Sequence, residues 1–515
     1  MKKYILGLLL LFIVATAFSL EVARSELEVA GESSIIFDNY TGPHDIINTI
    51  DEIKAIGSGL AGSISTDKET MQNVGDASKY TIIHAVDPTT KEGLDADILM
   101  FGKDSLIDHI DNVRRIIEAY LVAAYDYSED DAETIAYFVT IYNAVYRGDV
   151  EYFSQKYKSV VADNLTASAA GLSQNYKEWA GNSQIVIPLS SLDGGLGSID
   201  STEISNDDVV EEVKKDPDKG IDERKELVEI KEEEVEKSTE KAKEAQKEAT
   251  ESKKELAKEE ETLKEVQKEA EEAEKVAKEN PDDKEAQKEA EVAKEKVEEQ
   301  EKVVEEKKEE VVEKQEEAKV EQDAADKKRE DAQSDRVDIA EDQEEIIEEQ
   351  LKDEKIDVTY GLKLVNDADL LSTLVLIDTA TGEVVKESSV NVIRNRVVYQ
   401  EGEEYVAIAG TTGANAAVRL VKLDNIAMEI TKQSEEKLAI DSVLAYENGS
   451  YYAVIEDKAD YFVGQWNSDL KLIMKSPVPV MPKTPITVTD KGILVNNEVG
   501  KPTLLDNGTL EAVSK

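Results

Sequence analysis

KEAQKEA occupies residues 243–249 and recurs unchanged at 284–290, with the near copy KEVQKEA at 264–270. The first two copies lie three heptads apart, and the third arrives one residue early. The spacing sets a register in which Ala242, Ala249, Leu256, Leu263, Ala270 and Ala277 recur every seventh residue. Ala245, Ser252, Val266 and Ala273 hold the companion position. A seven-residue apolar repeat predicts a helix that presents one stripe to a partner helix. The slip falls at Asn280-Pro281-Asp282-Asp283. A second register then runs through Ala290, Val297, Val304, Val311, Ala318, Ala325 and Ala332. Its companion positions are polar: Gln300, Lys307, Lys314, Glu321 and Lys328.

The segment 222–353 is therefore expected to be a Glu/Lys-rich helical rod broken at Pro281. Proline lacks the N–H that a helix interior needs, and it disfavours helical geometry in the residue before it. It also suits the first position of a new helix, with Asn280 as the expected cap and Asp282 and Asp283 in the first turn. The two helices would be roughly 80 and 100 Å long. They either fold back as an antiparallel hairpin or run on with a kink, and the weak second stripe favours the hairpin.

Outside the rod, 20–190 is ordinary in composition and mixes strand and helix patterns. TIIHAV (81–86), DILMF (97–101) and QIVIPL (184–189) have strand character. Ile107, Ile110, Val113, Ile117, Tyr120, Leu121 and Ala124 recur at helical spacing, and Ser128 is placed to cap a following helix. The segment 191–221, rich in Gly and Ser near its start, is expected to be a flexible linker. From 354 to 515 the period becomes two. Gly402-Glu-Glu-Tyr-Val-Ala is echoed by Gly449-Ser-Tyr-Tyr-Ala-Val and by Gly492-Ile-Leu-Val, a unit of about 45 residues. The expected fold is multidomain. It has a mainly helical α+β N-terminal domain, a long acidic coiled-coil rod and an all-β, propeller-like C-terminal domain, with a β-sandwich as the rival for the last.

The formal net charge of −52 repels phosphate backbones, so nucleic acid is excluded as a partner. The chain has no cysteine, hence no disulfide, thiolate nucleophile or thioether lipid anchor. Lys2 and Lys3, the apolar run 4–14 and Ala17-Phe18-Ser19 predict a signal peptide over 1–19, with Ala15-Thr16-Ala17 as an alternative cleavage site. No other stretch has the length to span a bilayer. The chain is expected to be exported, and periplasmic or envelope-associated.

Chemistry-bearing residues are sparse. Asp108, His109 and Asp111 are the candidate metal ligands, set against a polar helix face. YNAVYRG (142–148) and NYKEWAG (175–181) concentrate aromatic residues. Tyr142, Tyr146 and Trp179 are the candidate ligand-binding residues, with a helical core stripe as the competing reading. His84 lies in an apolar strand and is expected in the core. Asp95 and Asp97 are expected to be turn or cap carboxylates. No catalytic constellation and no cofactor fingerprint is present.

FDNYTGPHDIINTIDEIKAIG, DADILMFGKDSLIDHIDNVRRIIEAYL, FVTIYNAVYRGDVEYFSQKYK and GLSQNYKEWAGNSQIVIPL precede the acidic rod. In these blocks, across roughly 35–190, the chain resembles the spirochaete 83/100 kDa antigen family, that of the high-mass immunodominant antigen of Lyme borrelia. The resemblance implies an exported envelope protein recognised by antibodies. It implies no reaction, cofactor or catalytic residue.

The combined expectation is a non-enzymatic, antigen-like envelope protein with two globular domains joined by a coiled-coil spacer. Its partners would be envelope proteins or glycans, with self-association through the rod as a further route. The alternative is a small-ligand or glycan-binding protein, or a hydrolase of unknown type, with its site in the N-terminal domain.

Overall fold

A computed structural model describes residues 35–513 apart from 42–48, 63–71, 91, 191–197, 281 and 412–416. The expected signal peptide and Pro281 itself thus lie outside the described residues. The chain forms two compact units: Met1–Leu227 together with Gln333–Lys515, and Val228–Ala332.

The N-terminal domain is α+β. Strands β1 (Gln72–Asp76), β2 (Tyr80–Ala85), β3 (Asp95–Phe101) and β4 (Ser183–Leu189) form one antiparallel sheet in sequence order. Helices α1 (Ile50–Ala61), α2 (Ile110–Tyr125) and α3 (Glu129–Val145) supply its helical layer. Short helices α4 (Val150–Lys156) and α5 (Ser159–Ala162) follow. Ser128 caps α3 as its sequence suggested, accepting from the Asp131 amide at 3.1 Å. Strands β2, β3 and β4 are buried along nearly their whole length, which is why they appear as continuous apolar runs. Helices α1 and α2 cross closely at Gly57. A Cβ there would sit 2.1 Å from the Ile116 carbonyl oxygen, so no larger residue fits that crossing.

The stretch expected to be a flexible linker is packed where it is described. Helices α6 (Ser201–Ile204) and α7 (Asp207–Val213) bury Ile204, Val209 and Val213, and Ile199 is buried just before them. The apolar residues among its acids drive this packing; glycine content near 191–197 gave no view of them.

Helices α8 (Ile221–Glu279) and α9 (Lys284–Glu354) are the rod, and between Val228 and Ala332 they fold back as an antiparallel hairpin. The repeated word explains the packing. Ala249 and Ala290, the last letters of the two identical copies, are both buried, while the Lys and Glu letters of both copies are exposed. In one continuous helix, a one-residue slip would turn the second stripe about 100° from the first. Two helices separated by a turn each present their own stripe, so the slip costs the hairpin nothing. The second helix is capped by Asp283 and not by Asn280. Asp283 Oδ1 accepts from the amides of Glu285 at 2.9 Å and Ala286 at 3.3 Å. Asn280 still belongs to the end of α8, its amide donating to the Val276 carbonyl at 3.0 Å.

The C-terminal domain is all β. Its first sheet contains β5 (Val358–Asn366), β6 (Leu371–Asp378), β7 (Val384–Glu387), β8 (Ile393–Glu401), β9 (Glu404–Ala409), β10 (Arg419–Asp424) and β11 (Ile430–Gln433). The second contains β12 (Ala445–Glu447), β13 (Ser450–Asp457), β14 (Asp460–Trp466) and β15 (Leu472–Pro479). The third contains β16 (Thr487–Thr489), β17 (Gly492–Asn496) and β18 (Pro502–Leu505).

These sheets stack in series. Val406 and Ile408 of the first meet Tyr451, Ala453, Ile455 and Trp466 of the second in one apolar layer. Tyr452, Val454 and Val463 of the second meet Ile493, Val495 and Leu505 of the third in another. Alternate residues of β13 thus enter different layers, so that strand is buried on both faces. Gly402, Gly449 and Gly492 each stand at a turn into a strand, at φ of 66°, 76° and 140°, where a side chain would be strained. The propeller expectation is corrected: among the described residues the sheets close neither a barrel nor a ring. Stacking in series covers each inner face without bringing the third sheet back to the first.

Candidate functional site

Tyr142 lies on the buried stripe of α3 and Tyr146 caps its C-terminal end, and the structure joins both to α4 and to the packed segment after β4. The Tyr142 hydroxyl lies 2.8 Å from that of Tyr157 and donates to Glu203 Oε1 at 3.0 Å. Tyr152 also donates to Glu203, and Lys156 stands 3.5 Å from its other oxygen. Tyr146 stacks on Tyr152 with ring centroids 3.6 Å apart, and donates to Asp208 Oδ2 at 2.7 Å. Burial pushes Tyr146 up to about 12 and Tyr142 and Tyr152 upward as well, so all three are neutral donors at ordinary pH. Such a network fastens α6 and α7 to the helical layer. Trp179 belongs to a different cluster. It is buried edge-on against Phe37, and its Nε1 donates to the Ser173 carbonyl at 2.7 Å.

His109 is the N-cap of α2. Its Nδ1 accepts from the Asp111 amide at 3.2 Å and lies 3.4 Å from Asp111 Oδ2. The backbone carbonyl of Asp108 accepts from the Tyr40 amide. Nδ1 of His109 is thus engaged in capping α2. Among the described residues, no group of three or more His, Asp or Glu side chains is arranged to hold a metal ion.

A buried polar cluster is centred on Asp97, which lies in β3 and not in a turn. Its carboxylate is inaccessible and has three partners: His84 Nδ1 at 2.6 Å, Tyr120 at 2.6 Å, and Tyr125. Asp95, two residues earlier on the same strand, takes the Lys158 ammonium at 2.7 Å and the Asp87 amide at 2.9 Å. Burial opposes a charge on His84, but the bond from Asp97 and the charges of Asp97 and Asp95 outweigh it and raise its pKa. His84 is in the core as its strand implied. The sequence carried a signal for the cluster, since two aspartates at strand spacing in an apolar run must find partners on one face.

A second convergence lies at the root of the rod, within the unit that holds both globular domains. Three consecutive residues of α8 make three different attachments. Arg224 binds Asp342 of α9 at 2.7 Å, and Lys225 binds Glu429 of the β domain at 2.7 Å. Glu226 accepts from Thr134 of α3 at 2.8 Å. Asp342 also takes Lys214 at 2.8 Å and Lys219 at 3.1 Å. Burial works against its charge, but the bonds from Lys214, Arg224 and Lys219 prevail and lower its carboxyl to about 2. No sequence signal separates Asp342 from the many acids around it.

Along the hairpin the polar companion positions of α9 form a ladder to α8. Lys307 pairs with Glu255 at 2.9 Å, Lys314 with Glu248 at 3.0 Å, Glu321 with Lys241 at 3.0 Å and Lys328 with Glu234 at 3.6 Å. Successive rungs are seven residues apart on both helices and mirrored about residue 281. Gln300 extends the ladder, its Nε2 donating to Glu259 Oε2 at 2.6 Å. Bonds to Glu310 and Glu255 raise the pKa of Lys307, and bonds to Glu317 and Glu248 raise that of Lys314. Nearer the turn, Val266, Val292 and Ala293 line a groove of about 370 Å³ with Lys and Glu at its rim.

These arrangements bind helices and sheets to one another and present a long charged surface. A family model for the Borrelia P83/100 protein matches residues 24–486. No curated protein matches the chain.

Proposed function

This chain belongs to the Borrelia P83/100 protein family, and from that membership we propose that it is a non-enzymatic, antigen-like interaction protein, exported and associated with the cell envelope. The observation that carries the reading is the hairpin. Two helices of 59 and 71 residues, rich in exposed Lys and Glu, pair with each other between Val228 and Ala332 as a compact unit of their own. A paired-helix surface of this kind suits contact with partners. Among the described residues no helix is long and apolar enough to cross a membrane. The proposed partners are envelope proteins or glycans. Fractionation with protease protection tests this: the chain should be recovered with envelope material. Recovery wholly with the cytoplasm would overturn the proposal.

A second reading places a glycan or small-ligand site, or a hydrolase centre, in the N-terminal domain. The stacked Tyr146–Tyr152 pair supports it, because Tyr152 is only half-buried and a ring pair is a natural platform for a sugar face. Titration with envelope glycans, followed by tyrosine resonances, decides it. Unmoved resonances would remove this reading and leave the first intact.

A further inference from the structure

The four ion-pair rungs of the hairpin share one geometric property. Each joins a residue of α8 to the residue of α9 mirrored about position 281. Two copies of the chain laid antiparallel, each opened at 280–283, reproduce the same four rungs between α8 of one copy and α9 of the other. Every rung is kept in that exchange, and so is the burial of Ala249, Val304, Val311, Ala318 and Ala325 against the facing helix. The junction is short: α8 keeps its last helical bond through Asn280, and α9 starts with Asp283 as its cap. From these relations we infer that the hairpin arm exchanges with a second copy of this chain, giving an antiparallel domain-swapped dimer. The inference rests on the hairpin geometry and not on the envelope role.

Charge sets the direction of the equilibrium. Closed and exchanged forms contain the same rungs, so salt weakens those equally in both. Bringing together two chains of formal charge −52 adds a repulsion that only the dimer feels. Screening shortens that repulsion to about 8 Å at physiological ionic strength and to about 3 Å at 1 M. Exchange therefore rises with salt as well as with protein concentration, the opposite of an association driven by complementary charges. Opening at 280–283 also makes exchange slow in the folded state and fast during refolding, because the helices must part before they find new partners.

The absence of cysteine makes the test clean. Glu255→Cys and Lys307→Cys are introduced together in the mature full-length chain, which is then unfolded, refolded over a range of concentrations at low and high salt, and bridged with a short bis-maleimide. The expected product is a covalent dimer on denaturing gels, its fraction rising with both variables, beside an internally bridged monomer. Internal bridging alone under all conditions would overturn the inference. So would equal dimer yield from Lys307→Cys by itself, since a single site has no rung partner in the other copy. Should circular dichroism show lost helix in this variant, the Glu248 and Lys314 rung takes its place, with the same two outcomes.

Discussion

His84 Nδ1 and Asp97 Oδ1 lie 2.6 Å apart in the core of the N-terminal sheet, and neither side chain reaches solvent to any useful degree. They face each other in register on β2 and β3. Because the folded-state pKa of His84 is raised above the ordinary histidine value of 6.5, its contribution to stability is complete below that value. It is lost as pH rises through the higher folded value. Denaturation midpoints of the N-terminal domain should therefore fall as pH climbs above 6.5, and His84→Gln should flatten that slope. A slope unchanged by the substitution would show that His84 is neutral in the fold.

Asp97→Asn leaves His84, Tyr120 and Tyr125 around an amide that cannot accept from all three. Removing one member of a buried, hydrogen-bonded ionic cluster costs about 3–5 kcal/mol. Urea unfolding monitored by near-ultraviolet circular dichroism should show a loss of that order, with little change in helix content of the hairpin.

Asp342→Asn removes the carboxylate that holds Lys214, Lys219 and Arg224. The site is mostly shielded, and the expected loss is about 2–3 kcal/mol. Its pKa is lowered from 3.8 to about 2, so its stabilisation is present above 3.8 and fades as pH falls through 2. Acid titration of the wild-type chain should loosen the helical root in that window, seen as faster amide exchange at Arg224 to Leu227. The variant should show the faster exchange at neutral pH.

Reversing one rung, as Lys314→Glu or Glu248→Lys, should lower the melting temperature of the hairpin slightly, since both groups are solvent-exposed. Making both changes together should restore it. Failure of the double exchange to recover the loss would show that the rung contributes nothing beyond each side chain's own helix preference.

Gly57→Ala should displace α1 from α2, because its Cβ would meet the Ile116 carbonyl oxygen at 2.1 Å and the Tyr120 amide nitrogen at 2.8 Å. Overpacking of this kind costs about 1–3 kcal/mol. A melting curve unchanged from wild type would mean that the helices part without penalty.

Much of this architecture follows from local pattern. KEAQKEA at 243–249 and 284–290 marks helix by its composition, and the seven-residue recurrence marks which face is buried. Strands such as EYVAIA and SYYAVIE are recognisable because β-branched and aromatic residues suit a pleated, buried surface. The same strands being apolar on both faces says that something covers each side, without saying whether the covering sheets return to the start. Repetition points to a propeller-like domain, whereas the serial stack arises from long-range packing that no local period encodes.

Most elements are legible in the sequence, from helix and strand periods to the expected break at Pro281, the phase slip and the acidic charge, but α6 and α7 are not. Which groups meet one another is settled by the packing of distant segments. Asp342 is one of 113 acidic residues with nothing local to mark it, and even Asp97, marked by its apolar strand, meets its imidazole and phenols only through the fold. Lys307, Lys314 and Lys328 looked like flaws in an apolar stripe and prove to be rungs to a helix that passes them in the opposite direction. The reason is physical: propensity and periodicity act over a few residues along the chain, whereas a buried charge is defined by what lies across from it.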